Sequence, residues 1–115
     1  VTEAEVETLI LSFPDVERGT SYGYPSFKVA GKFFTRLRRE DDSLVLTDVG
    51  LDEREMLIQA EPKTFHVTPH YQDYPTVLAR IATVDPGTLK AMLTRIWRRK
   101  APKRLVKALD AAHEE

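Results

Sequence analysis

Cysteine is absent from this 115-residue chain. That removes disulfides, thiolate zinc sites and cysteine nucleophiles in one step. No apolar run approaches the roughly 20 residues a membrane-spanning helix needs. The opening residues are acidic and polar, unlike a secretory signal, so the expectation is a cytoplasmic protein. The five glycines form no phosphate-cradling loop, Walker pattern or dinucleotide fingerprint. Acid is missing from one long stretch: between Asp85 and Asp110 stand Lys90, Arg95, Arg98, Arg99, Lys100, Lys103, Arg104 and Lys107, with no Asp or Glu. Cations are missing from another: residues 1–17 hold Glu3, Glu5, Glu7, Asp15 and Glu17 and no Lys or Arg. Because the formal charge of the whole is only −1, the surface is polarised, and one side of it can attract phosphate.

What is present suits one α+β domain over residues 1–115, with 42% hydrophobic and 30% charged residues. Thr2-Glu3-Ala4-Glu5 is a capping box, and Val6, Leu9, Ile10 and Phe13 follow at helical spacing until Pro14. Residues 19–26 are turn-rich and read as a loop. Alternation then predicts two strands meeting at a three-residue turn, Ala30-Gly31-Lys32. Pairing Val29 with Phe33 sets Phe27, Val29, Phe33, Thr35 and Leu37 inside, and leaves Lys28, Arg36, Arg38 and an exposed Phe34 outside. Residues 43–47 are a third strand. Asp52 caps a second helix, with Glu55 in the reciprocal position. Residues 64–68 and 77–84 are the fourth and fifth strands, joined by a loop over 69–75. Asp85-Pro86 opens a third helix with the stripe Leu89, Met92, Leu93, Ile96 and Trp97. Pro102 begins a fourth, where Leu105 and Leu109 face inward. The order α-β-β-β-α-β-β-α-α with short connections gives an antiparallel sheet of about five strands with helices packed on it.

Several motifs together carry a resemblance: Phe13-Pro14-Asp15-Val16-Glu17, Thr20-Ser21-Tyr22-Gly23 with Pro25 and Phe27, Val29-Ala30-Gly31-Lys32, Val67-Thr68-Pro69-His70-Tyr71, Tyr74-Pro75 with Val77-Leu78, and Ala101-Pro102-Lys103. In order and spacing the chain resembles the MmcQ/YjbR family of small bacterial proteins. The resemblance implies a fold similar to frataxin-like or secretion-chaperone-like domains. It also implies DNA binding through a "double wing" of hairpins. It carries over no catalytic residue.

Three constellations are candidates for function. In the C-terminal helices Arg95, Arg98, Arg99, Lys103, Arg104 and Lys107 could contact phosphates without reading sequence. Their competing role is to suit a helix C-terminus or to form a solvated face. On the first hairpin Lys32, Arg36, Arg38 and Arg39, with Lys28, form a basic ribbon of a kind that can enter a groove of DNA; exposed cations equally protect a strand edge. Thr20, Ser21, Tyr22 and Tyr24 in one loop, with His66, His70, Tyr71 and Tyr74, would line a cleft for an anion or planar ligand if the two loops met at one end of the sheet. A Ser21–His70 nucleophile lacks the surrounding elbow pattern, and His66, His70 and Asp73 lack a metal-binding spacing. The expectation is a non-enzymatic binding module without cofactor or metal. Its leading partner is DNA, and the alternative is a small ligand, anion or protein at the Tyr/His cleft.

Overall fold

The structure, a computed structural model, describes residues 1–21 and 23–113, with the side chains of Ser21 and His113 outside the description. Helix α1 (Glu3–Leu11) starts at the capping box: Thr2 Oγ1 accepts from the Glu5 N–H, and the Glu5 carboxylate accepts from the Thr2 N–H. There follow β1 (Val16–Ser21), β2 (Tyr24–Val29), β3 (Lys32–Arg38), β4 (Ser43–Thr47), α2 (Leu51–Ala60), β5 (Phe65–His66), a short 3-10 turn (Pro69–Tyr71), β6 (Thr76–Arg80), α3 (Pro86–Lys100) and α4 (Lys103–His113). The fold is α+β. Its antiparallel sheet has six strands in the order β1-β2-β3-β4-β6-β5.

The strand absent from the expectation is β1. Val-Glu-Arg-Gly-Thr-Ser holds a single apolar residue, Val16, which packs on the core, because β1 is an edge strand held in the sheet by its backbone ladder to β2. Charged side chains on such an edge also discourage pairing with a second chain.

The first hairpin differs from its expected register. Its turn has two residues, Ala30 and Gly31, both at positive φ (49° and 80°), so Val29 pairs with Lys32 and not with Phe33. That is the backbone a two-residue turn between twisted strands requires. A bulge follows: β2 advances one residue, Phe27 to Lys28, while β3 advances two, Thr35 to Phe33. Phe34 and Thr35 therefore both oppose Phe27, and all three are buried. Phe34 is fully buried where strict alternation would expose it, and its ring meets Phe13 edge-on at 5.7 Å. Phe33 turns to the opposite face and is half-exposed.

Other boundaries shift as well. The fourth expected strand shrinks to Phe65–His66, and the fifth ends at Arg80, although Ile81 and Val84 stay in the core. Helix α2 starts at Leu51 with Gly50 as N-cap, so Asp52 forms no cap. Helix α3 keeps its predicted start, with Asp85 accepting from the Thr88 N–H and Pro86 in the first turn.

One core lies between the helices and one sheet face. It joins Val6, Ile10 and Phe13 to Phe27, Leu37, Leu44, Leu46 and Val77, and to the whole predicted stripe of α3. The Trp97 indole N–H donates to the Pro14 carbonyl at 2.9 Å, which satisfies the one polar atom of the largest buried ring. Leu105 and Leu109 of α4 pack on this core, as their spacing predicts. None of the helices in the described residues is long and apolar enough to cross a membrane.

Candidate functional site

The sheet face turned away from the core carries the hairpin arginines. Arg36, Arg38 and Ser43 share it with Arg80 and His66 by strand register. They do not reach into solvent as a ribbon. The segment after β5 crosses this face, and Arg36 donates to the Tyr71 hydroxyl at 2.8 Å. Arg38 donates to Thr68 Oγ1 at 3.3 Å, with its guanidinium 5.8 Å from the Tyr71 ring centre, close enough for a cation–π contact. Arg38 also faces Glu40 at 3.4 Å and Asp41 at 3.8 Å. Its Nε and the Asp41 Oδ1 are buried without hydrogen bonds. Arg39 pairs with Glu3 of α1 at 2.7 Å. Of the four hairpin cations expected to grip phosphate, only Lys32 is exposed with no polar partner among the described residues.

His66 sits in the same layer, 2.8 Å from Ser43 Oγ and 3.7 Å from an Asp41 oxygen, both measured to its Nε2. Both neighbours meet one ring nitrogen, so this is not a relay that could activate a nucleophile. Burial holds the imidazole below its ordinary pKa, with Arg80 and Arg38 acting in the same direction and Asp41 opposing.

The two tyrosine loops leave the sheet at opposite ends, yet Arg36 links them: it donates to Tyr71 and its charge acts on the Tyr24 phenol. The β1–β2 turn lies at the end of the sheet where β3 finishes and β4 starts, whereas 69–75 leads into β6 beside the end of β4. Thr20 and Tyr24 belong to the first end. There the Glu40 carboxylate raises the Tyr24 phenol above its ordinary pKa. Ser21 contributes only its backbone to the description, and Tyr22 lies outside the described residues.

The second end holds a groove of about 390 Å³. His70, Tyr71, Tyr74 and Pro75 make one wall, and Asp48 and Lys100 contribute the charged part of the lining. Lys100 Nζ stands 3.7 Å from Asp48 Oδ2. The His70 ring meets Tyr71 edge-on at 4.6 Å and lies 6.4 Å from Tyr74, tilted by 35°. Tyr74 is 57% exposed. The backbone that carries this ring is clamped. Arg54 of α2 donates from Nη1 to the carbonyls of Tyr71, Tyr74 and Thr76, and from Nη2 to that of Gln72. Arg54, Asp48 and Lys100 were not among the sequence candidates. Arg54 stands in Asp-Glu-Arg-Glu, where a cation reads as a partner for its own helix.

The C-terminal cations divide into two sets. Arg95 makes a two-pronged pair with Glu53 of α2 at 2.8 and 3.0 Å, and Arg98 does the same with Asp110 of α4 at 2.6 and 2.9 Å. Both are occupied in joining helices. Arg99, Lys103, Arg104 and Lys107 are exposed and form no ion pair among the described residues. They surround the elbow between α3 and α4. Lys103 and Arg104 open α4, where the positive end of the helix dipole opposes their charge. Helix α3 packs on the core face of the sheet, whereas Arg36 and Arg38 stand on the other face.

The uncharacterized protein Mb2600 of Mycobacterium bovis and the uncharacterized proteins Rv2570 and MT2646 of Mycobacterium tuberculosis are each 42% identical to this chain over 55 residues. That match covers 48% of this chain and 43% of each relative, so less than half of the relatives' length. No solved structure matches the chain significantly. The family model YjbR matches residues 11–99, from the end of α1 to the last turn of α3, and on that match the chain belongs to the YjbR family.

Proposed function

We propose that this protein is a non-enzymatic binding module that grips nucleic-acid phosphates, DNA foremost, through the α3–α4 elbow. One observation carries the reading: Arg99, Lys103, Arg104 and Lys107 are exposed and have no carboxylate partner among the described residues, while most other cations of the C-terminal stretch and hairpin are engaged within the fold. A cation opening a helix is disfavoured by the helix itself. A phosphate placed there relieves that repulsion and meets the helix dipole favourably. Such contacts position a polyanion without reading its bases.

The hairpin arginines, engaged within the fold, have no part in this grip. Binding of a labelled oligonucleotide by the variant with Arg99, Lys103, Arg104 and Lys107 all changed to Ala tests the proposal. Affinity is expected to drop for every sequence alike, while the hairpin variant Lys28→Ala/Lys32→Ala binds as the parent does. Equal binding by the elbow variant would exclude the elbow.

A second reading is favoured by the Arg54 clamp: the groove is a rigid, preformed site for a small planar or anionic ligand, used independently of the elbow. Thermal stabilisation by such a ligand that is abolished in Tyr74→Ala and unaffected by salt is its signature.

A further inference from the structure

The groove and the elbow are neighbours. Lys100 lines the groove and is the last residue of α3, and Lys103 is the first of α4. Three virtual bonds of 3.8 Å put their α carbons at most about 11 Å apart. A chain held by its phosphates at Lys103 and Arg104 therefore passes the mouth of the groove. We propose that the groove takes an unpaired nucleobase of a single strand held at the elbow, so that the protein prefers single-stranded to double-stranded nucleic acid. This rests on the phosphate-binding reading above and adds to it the substrate class.

The chemistry of the groove suits a base. Its aromatic wall offers the exposed rings of His70 and Tyr74, on which a planar heterocycle can stack whatever its identity. Its charged lining offers a carboxylate acceptor and an ammonium donor side by side, Asp48 and Lys100. A base edge presents donors and acceptors together and can pair with both. A duplex cannot use the groove, because its bases are already stacked and paired. Arg54 fixes the wall in advance by holding three backbone carbonyls of the loop and that of Thr76 at the start of β6, so little ordering is left for the moment of binding.

The test compares four probes by fluorescence anisotropy or calorimetry: a mixed-sequence single strand, the same strand with abasic sites, a duplex of equal length, and free nucleoside monophosphate. The protein is used as the parent and as Tyr74→Ala, His70→Ala and the elbow variant. Tyr74 and His70 are exposed, so unfolding of these two variants is expected to match the parent. The single strand is expected to bind more tightly than either the abasic strand or the duplex. Tyr74→Ala should weaken the single strand about tenfold and leave the other two macromolecular probes unchanged. His70→Ala should do the same in smaller degree. If the abasic strand and duplex bind as well as the intact strand through the elbow, phosphate binding stands and base capture is overturned. If free nucleoside monophosphate binds as tightly as the strand and ignores the elbow, the groove serves a free nucleotide and the strand proposal is overturned. If no probe binds at all, both fall.

Discussion

Arg36 donates to the hydroxyl of Tyr71 at 2.8 Å, joining β3 to a loop 35 positions later in the chain. The bond turns a strand arginine away from solvent and fixes the loop whose outer side forms the groove. Tyr71→Phe removes only the acceptor. Because Arg36 is partly exposed, water replaces much of what is lost, and the expected cost is about 1 kcal/mol in urea unfolding. Affinity for DNA should not fall, since Arg36 is released and not removed.

Phe34 provides a test of the bulge. As a core residue opposite Phe27, its replacement by Ala should destabilise the fold by about 3–5 kcal/mol. Phe33→Ala, on the half-exposed face, should cost clearly less. Similar costs for the two, measured by urea unfolding, would contradict the register described here.

Arg54 holds the groove loop by three of its carbonyls and by that of Thr76, the first residue of β6. Arg54→Ala leaves those carbonyls to water and should cost about 2–3 kcal/mol, in line with hydrogen bonds to a charged donor and without assuming that they add. Hydrogen exchange should speed up first in 69–76 and much less in the core strands. Arg54→Lys, which lacks the forked donor geometry, should recover only part of the loss.

His66 gives a pH dependence whose sign follows from its lowered pKa. The unfolded chain takes up a proton near the ordinary histidine value of about 6.5, and the folded chain does so only at lower pH. Between the two values the unfolded state binds more protons, so stability falls as pH drops through 6.5 and levels off below the folded pKa. Above 6.5 the contribution is complete. His66→Gln keeps a partner for Ser43 and cannot titrate. The difference in urea stability between parent and variant should change between pH 8 and pH 5.5, with the parent losing more.

Much of the fold was legible in the sequence, because it depends on local signals. The Thr2–Glu5 box, the Asp85-Pro86 start and the Leu89 to Trp97 stripe each act within a few residues, and each stands as read. Strand β1 was not legible, since an edge strand needs a neighbour's backbone more than a pattern of its own. The burial of Phe34 depends on one extra residue in β3, which alternation cannot reveal. For the site, the Tyr71 loop and the elbow cations stood out by composition. Which cations were already paired did not: the partners of Arg39, Arg95 and Arg98 are 36, 42 and 12 positions away. The clamp by Arg54 on backbone carbonyls leaves no trace in side-chain identity at the accepting positions.

The most direct measurement of the central claim is the slope of log affinity against log salt for a single-stranded oligonucleotide, taken for the parent and for the variant with Arg99, Lys103, Arg104 and Lys107 changed to Ala. Neutralising up to four phosphates on a single strand predicts a parent slope of about −2 to −3, and the variant should retain a slope near zero with weak residual binding. A parent slope near zero, or a variant that keeps both the slope and the affinity of the parent, would contradict the elbow as the phosphate grip.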